Sequence, residues 1–596
     1  MRRRDFVTGG AAVATQAAFA RRAAAQKAPR IDRIIDAHCH LFNADDLPIE
    51  GFVKKIILPR AAESDQLVAR FAEYPGALQA LVHAIAKQVK STAPGRKAEA
   101  DKIDEFERDP RRKPTRAWRE QEDLKNLEST FRLIWSDSAL FEGLSLRERT
   151  ALKVALEHLQ VFLYQQQYSQ FGKPYLTDDE REELRNARLD FLAAELYPRD
   201  DLVGRYIRWS LLFTRFRFEL AEELHQLHGQ SAQKPRIVLM TPATVDFSKW
   251  LEDEKHSSIE DQAEVMGRIA RRKDGPRVHG FVGYDPLRQA LYDRGRHRPD
   301  EKDPMAVLRG AIEVSAASAA PRTTGGSLGV KLYPPMGFRA MGNAELADER
   351  FGDPGYLASP DRGLGPRVGQ KLDAALSRLY GWCSDNNVPV MAHTNDSYGP
   401  TRDYELRAHP RFWAAVLKAP AHSRLRINMA HFGHFNGAVG KENPGRHIAE
   451  CWEWVVGEII TASPDGYAYA DISSLSELLK FGPSRQVLAC MKAFREKFPA
   501  SAERLMYGTD WSMIGKDEGF PKLLSPKSYP DFVALFLQAA GYRDSEIENI
   551  MFRNATRFLG LSRSELDRHG DNSSRGRLEK FYAANRVDTA WMKAFD

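Results

Sequence analysis

The chain has 596 residues, 43% of them apolar and 28% charged, which is the balance of a globular protein with a sizeable core and too long for one minimal domain. A formal charge of +6, with acids and bases mixed and no basic stripe, argues against nucleic acid as a partner. Four widely spaced cysteines, Cys39, Cys383, Cys451 and Cys490, match no zinc knuckle and read as buried small hydrophobes, with room for one bridge.

Residues 1–25 read as an address. Arg3-Arg4-Asp5-Phe6-Val7 has the form of a twin-arginine signal, and an Ala-rich run follows from Val7 to Ala20. Ala18-Phe19-Ala20 and Ala23-Ala24-Ala25 are both small-residue cleavage sites. The run is too short to span a bilayer. The alternative is an Ala-rich disordered terminus, but the order of charge, apolar core and cleavage site favours export. The expectation is a periplasmic or secreted protein with no integral membrane segment after signal removal.

Residues 31–41 read as a first strand, with the apolar run ending in His38-Cys39-His40. Residues i and i+2 of a strand share a face, so the two imidazoles aim at one point, where a divalent metal could sit. Taken alone, His-X-His is more often half-exposed surface. Residues 42–230 change to helical spacing, clearest in Leu202, Tyr206, Trp209, Phe213, Phe216, Leu220, Leu224 and Leu227, with a second run from Leu140 to Tyr164. Thr177-Asp178-Asp179-Glu180 has the form of a helix start. Pro94 to Lys125 is dense in charge and reads as a linker or solvated helices. The segment is expected to be a mostly helical insertion, either a lid over the site or an oligomer interface.

From residue 231 to 562 short apolar runs alternate with helical stretches. Strands are predicted at 236–241, 278–284, 328–333, 388–393, 425–431, 467–472 and 505–510, with Asp285-Pro286 as a turn, and helices at 370–385, 448–460 and 484–498. With the first strand these make eight β/α units, the pattern of an α/β TIM (β/α)8 barrel with a large insertion after its first strand. Residues 563–596 form a polar C-terminal tail that wraps or frays.

His38 and His40 end the first predicted strand, His393 the fifth, His431 the sixth and Asp510 the eighth. A lone histidine at a strand end is usually a packed or loop residue. Five such groups at ends that converge on one barrel mouth point to a metal site.

The pieces Asp36-Ala37-His38-Cys39-His40, Gly329-Val330-Lys331-Leu332-Tyr333-Pro334, Pro389-Val390-Met391-Ala392-His393-Thr394, Met429-Ala430-His431-Phe432-Gly433, Tyr507-Gly508-Thr509-Asp510-Trp511 and Asn554-Ala555-Thr556-Arg557-Phe558-Leu559 together resemble the amidohydrolase superfamily, in its amidohydrolase-related branch of metal-dependent hydrolases and decarboxylases. The resemblance covers the first strand and residues 235–562, not the insertion. It implies that His38, His40, His393 and Asp510 bind one divalent metal, zinc first and manganese or iron after it. It also implies that Asp510 acts as general base and that His431 polarises substrate or passes a proton to the leaving group. Lys331 matches a position that carries a bridging carboxylated lysine in some members, although a substrate-anion or structural role suits a single-metal branch better. Tyr333 and Arg339 are further substrate-binding candidates, with loop packing as the alternative. Asp471 is a partner for a ligand histidine or a helix cap, and His434 a residue of the mouth or of an exposed loop. His409 and His422 receive no role.

The reading is a metal-dependent hydrolase of a small ester, lactone or amide. Its rivals are a metal-dependent decarboxylase of an aromatic or unsaturated acid, and a non-catalytic binding protein on a barrel scaffold. The expected partner is a small-molecule substrate, with a homo-oligomer left open.

Overall fold

The eight runs are mostly apolar, with Asp36, Lys331 and Asp471 as their charged members, and each forms a largely buried parallel strand. The computed structural model describes residues 31–57, 75–112, 141–149, 209–228, 236–313 except 255 and 256, 325–435 except 353, 398 and 423, 451–463, 467–516 except 480, and 529–596, with single positions at 29 and between 115 and 126. The strands are β1 (Ile34–Cys39), β2 (Ile237–Pro242), β3 (Phe281–Gly283), β4 (Gly329–Leu332), β5 (Val390–His393), β6 (Ile427–Ala430), β7 (Ala468–Asp471) and β8 (Leu505–Met506).

All pairings are parallel, β1 with β2 and β3 through β8 in sequence order. Single bridges from Met240 to Val278 and from Ala243 to Phe281 join β2 to the chain entering β3. Across the other side, the Ala37 N–H donates to the Tyr507 carbonyl at 3.0 Å, and the N–H groups of Thr509 and Asp510 donate to the His38 carbonyl at 3.1 and 2.8 Å. The last strand is shorter than predicted, two residues against six. After Met506 the backbone turns to bond with β1, and Asp510 adopts a left-handed φ of 56°.

Helices fill the connections. Between β1 and β2 lie α1 (Pro75–Thr92), α2 (Arg96–Arg108) and α3 (Arg217–Leu227). Then come α4 (Ile259–Ala270), α5 (Pro286–Asp293), α6 (Pro304–Ile312), α7 (Val368–Asp385), α8 (Arg411–Lys418), α9 (Trp452–Ala462) and α10 (Phe481–Lys497), each ahead of the next strand. Asp285-Pro286, predicted as a turn, is instead the start of α5. The Asp285 carboxylate accepts from the Leu287 N–H at 2.9 Å and proline takes the first helical position, where no amide is needed.

No strand occurs between β1 and β2 among the described residues, and α2 runs through the charge-dense stretch read as linker or solvated helix. Residues 1–28, Thr177 to Glu180 and most of the Leu140 to Tyr164 run lie outside the described residues. Among the described residues no helix is long and apolar enough to cross a membrane. Cys39 and Cys383 are buried free thiols and Cys490 is a half-buried one, so none of the three enters a bridge. Cys451 is buried.

The C-terminal tail is folded onto the sheet. α11 (Tyr529–Ala539) and α12 (Asn554–Leu559) precede it, and α13 (Arg563–His569) and α14 (Ser574–Asn585) form its body. Phe581, Tyr582, Met592 and Phe595 join Ile35, Leu239, Phe281, Leu328 and Tyr469 in an apolar cluster. His279 Nε2 and the Tyr582 hydroxyl lie 2.6 Å apart within it. A polar average therefore hid a buried stripe.

The helical segment carries buried charge. Glu219 on α3 is buried, and its nearest cation, Arg119, stands 3.8 Å away. Burial pushes the Glu219 carboxyl up to about 7, against the pull of Arg119 and Arg215. The folded state then binds a proton more tightly than the unfolded chain, whose glutamate titrates near its ordinary 4.5. Stability from this group is complete below about pH 4.5 and declines up to about pH 7. Glu219→Gln, which cannot titrate, is expected to match the wild type in urea midpoint at pH 4.5 and to exceed it at pH 7.5. Equal midpoints at both values would remove this residue from the pH dependence.

Candidate metal centre

Alternation along β1 places His38 and His40 on one side, and both side chains are buried. His40 Nδ1 lies 2.9 Å from the Ala243 carbonyl, which can only accept, so Nδ1 carries the proton and Nε2 keeps its lone pair. His38 Nδ1 faces the Asp471 carboxylate at 3.2 Å from either oxygen, and its Nε2 is left as an acceptor. Both free nitrogens turn to Asp510. Its Oδ1 is 3.3 Å from His40 Nε2 and 3.9 Å from His38 Nε2. One ligand atom each from His38, His40 and Asp510 all lie within 4.8 Å of one another. This pattern of carboxylate or carbonyl, imidazole and then an unprotonated ring nitrogen is how proteins prepare histidine for a metal.

A cation already probes that position. Lys331 Nζ, buried on β4, lies 2.9 Å from His38 Nε2 and 3.5 Å from the Met391 sulfur. Burial lowers its pKa to about 8, while Asp471 and Asp510 oppose the drop. An ammonium drawn to the donor set is the behaviour expected of a group fitted to a divalent ion, so the residues present suit one. For Asp510 burial acts upward, but His431, His40 and His38 outweigh it and hold the carboxyl well below its usual range.

His431 and His393 stand beside this group. The His431 ring lies 4.6 Å from that of His38 and 4.4 Å from that of His393. Burial takes the pKa of both well below 6.5, so neither is a ready cation at neutral pH. His393 falls outside the tight three-atom cluster. Its Nε2 lies 2.6 Å from the Ser397 hydroxyl, and Tyr333 packs on its ring at 4.6 Å. The Tyr333 hydroxyl is 3.2 Å from the same serine, so Tyr333, Ser397 and His393 form one wall.

Arg339 is not brought to the cluster. Its guanidinium stacks 4.6 Å over Phe412 and donates to the Gly342 carbonyl at 3.3 Å, because the loop after β4 turns outward there. Arg402 pairs with Asp396 and Glu405 at 3.1 and 2.9 Å. His409 packs on Trp452 and His422 on Tyr380. The side chain of His434 lies outside the described residues.

Asp471 organises the layer behind the ligands. Besides His38 it accepts from the Asn428 amide at 2.7 Å and from the backbone N–H of His431 and Ser473 at 3.1 and 3.2 Å. Burial raises its pKa, but His38 more than offsets this and the net shift is downward. Ser473, which the sequence reading passed over, sets its hydroxyl 3.1 Å from His38 Nδ1 and 3.0 Å from His431 Nδ1. Asp471 and Ser473 are two apart at a strand exit, the same spacing that singled out His38 and His40, so the signal was there to use. Gly508 answers this crowding. A Cβ there would stand 2.9 Å from the His38 Cβ and 3.1 Å from the Ser473 Cβ, closer than side chains come. His431 and Asp510 both hold left-handed backbone, at φ 68° and 56°. Such strain, about 1–3 kcal/mol per residue, is typical of functional sites.

Residues 315–561 match the amidohydrolase family; the match spans β4 to α12 and leaves out the strand that carries His38 and His40. No curated protein sequence matches the chain. Among solved structures the chain is similar to a Pseudomonas putida protein assigned as a 2-pyrone-4,6-dicarboxylic acid hydrolase, at 14% identity and a TM-score of 0.27, covering 55% of this chain and 83% of that one. It is also similar to Metarhizium anisopliae IDCase in its apo form, at 16% identity and a TM-score of 0.30, covering 57% and 78%.

Proposed function

The chain carries an amidohydrolase-family domain over residues 315–561, and from that premise we propose a metal-dependent hydrolase of a small ester, lactone or amide, built on a closed (β/α)8 barrel with a helical insertion after β1. The observation that carries this reading is the buried group of His38, His40 and Asp510, with both Nδ1 protons committed to other acceptors and both Nε2 lone pairs turned inward. Two neutral imidazoles and a carboxylate suit zinc first, and manganese or iron after it. His393, whose ring lies 4.4 Å from that of His431, is the candidate for a further ligand, with its Nε2 now on Ser397.

When bound, a divalent ion here acidifies a water molecule and polarises a substrate carbonyl. With the ion held by His38, His40 and Asp510, Asp510 would also be placed to accept a proton as general base. His431, a neutral ring beside the cluster, would polarise the substrate carbonyl, or take the proton from Asp510 and release it to the leaving group. Ser473 on its Nδ1 fixes the ring so that Nε2 is the working nitrogen. Tyr333 and Lys331 contribute the substrate-binding wall. Of the three cations that could hold a substrate carboxylate for decarboxylation, Arg339 and Arg402 are engaged elsewhere and Lys331 stands at the cluster, so a carboxylate there would meet one cation and not three. The Arg3-Arg4 signal supports twin-arginine export to the periplasm or beyond.

Elemental analysis of protein purified without chelator is expected to find about one equivalent of zinc, manganese or iron. A panel of esters, lactones and amides is then expected to include a substrate. Carbon dioxide released from an aromatic acid, with no hydrolysis across the panel, would transfer the reading to decarboxylation. Two equivalents of metal would assign Lys331 the bridging role. No metal, and none regained on soaking, would leave a binding scaffold.

A further inference from the structure

His38 sits on β1, His40 one residue past its end, and Asp510 follows β8, so the geometry of the cluster is the geometry of the seam between these two strands. Up to Asp510 the seam is held by the Ala37 to Tyr507 bond, the two bonds to the His38 carbonyl, and the Asp36 carboxylate, which accepts from the Thr509 N–H and hydroxyl at 3.0 and 2.7 Å; beyond Asp510 the Trp511 carbonyl accepts from the His40 N–H. Segment 209–228 runs along the seam and touches both sides. It lies outside the family match, as β1 does.

At its start, the Trp209 indole N–H donates to the Ser512 carbonyl at 2.8 Å, two residues past Asp510. Gly515 of the same loop lies against the indole, with a Cβ position 3.5 Å from its Cδ1. The indole packs edge-on to Phe213 at 4.7 Å, Phe213 stacks on Phe42 at 6.0 Å, and the Phe42 ring lies 5.0 Å from that of His40. The Phe213 carbonyl accepts from the Ala44 N–H at 2.8 Å, and the Arg215 carbonyl from the Asn43 amide at 3.2 Å. At its end, His228 Nε2 lies 3.3 Å from the Tyr507 hydroxyl and 3.7 Å from Asp36 Oδ2, one partner near each strand.

We propose that Trp209 is a positioning residue for the metal centre: its indole N–H holds the loop that carries Asp510 in register with the two histidines of β1. This rests on the metal reading above. A ligand group must be held to within about half an ångström, and the indole N–H fixes the loop on the far side of Asp510 from the Thr509–Asp36 bonds. The bond that matters is the N–H donor, not the bulk of the ring.

The test is Co²⁺ titration of the full chain followed by visible absorption, comparing wild type with Trp209→Phe and Trp209→Ala, and with urea unfolding of each apoprotein beside it. Phe keeps the packing on Phe213 and removes the donor. The expected result is that Trp209→Phe folds with an unfolding midpoint lowered by no more than the loss of one hydrogen bond, yet binds Co²⁺ about five- to tenfold more weakly and shows an altered d–d band. A spectrum and affinity equal to wild type in Trp209→Phe would overturn the proposal. If Trp209→Ala fails to fold, Trp209→Phe alone decides. Wild-type protein that takes up no Co²⁺ would overturn the metal reading itself, and the two failures are thereby distinct.

Discussion

Asp510→Asn is expected to lower turnover by about 10³-fold or more and to strip most of the metal, while the protein stays folded. Loss of a general base alone costs about 10² to 10⁴ in rate, and here the same residue is also a ligand. Asparagine keeps the size and one acceptor oxygen, so the contact with His40 Nε2 at 3.3 Å is the feature that changes. The amide has no charge to hold a cation and no site for a proton. Folding should survive because the backbone bond from the residue 510 N–H to the His38 carbonyl, 2.8 Å long, does not involve the side chain. Asparagine is also among the residues that best tolerate the left-handed φ of 56° at this position. Metal content by elemental analysis and turnover of the substrate found in the panel are the measurements. Wild-type turnover in this variant would remove Asp510 from the chemistry and return the histidines to a structural role.

The second large effect is on stability. Arg217 opens α3 and is buried, with Nε 2.6 Å and Nη2 2.5 Å from the two oxygens of Asp46 and Nη1 3.3 Å from Glu99. Glu99 on α2 also accepts from the backbone N–H of Arg217 and Phe218 at 3.1 and 3.0 Å, and so caps the start of α3. One guanidinium therefore ties α2, α3 and the chain just past β1 together. Burial acts to lower its pKa, but Asp46 and Glu99 outweigh that and raise it. Arg217→Met would leave two buried carboxylates without their cation, a loss of about 3–5 kcal/mol. Urea unfolding at pH 7 should show it. The triple variant Arg217→Met, Asp46→Asn, Glu99→Gln should recover a large part, since the penalty lies in the stranded charges rather than in the missing pair. A single variant as stable as wild type would mean that water reaches the network and screens it.

How far the residues could be read in advance depended on the range of the forces that set them. Strands announced themselves because a buried parallel strand needs an apolar run on both faces, as in Val388 to His393, and that need is local. His38 and His40 were legible for the same reason, since a period of two is a property of the backbone alone. β8 was overextended, because Tyr507 to Asp510 continue the apolar pattern while their amides answer to β1. The tail was read as polar, yet Phe581 and Tyr582 are buried; its stripe finds its partners, Phe281 and Tyr469, hundreds of residues away.

The site divides along the same line. Residue types and their place at strand ends are written in the chain, and they were enough to name His38, His40, His431 and Asp510 as neighbours. The direction of a loop side chain is not written there. Arg339 and Lys331 looked alike as cations near β4, but Lys331 lies within the strand and points at His38, whereas Arg339 follows a turn and stacks on Phe412. Ser397 on His393 and Trp209 on the Asp510 loop carry no local pattern, because each contact closes a loop whose ends meet through packing elsewhere. Backbone periodicity acts over a few residues and can be read in order; side-chain convergence is the sum of many distant contacts, and it exists once the chain has folded.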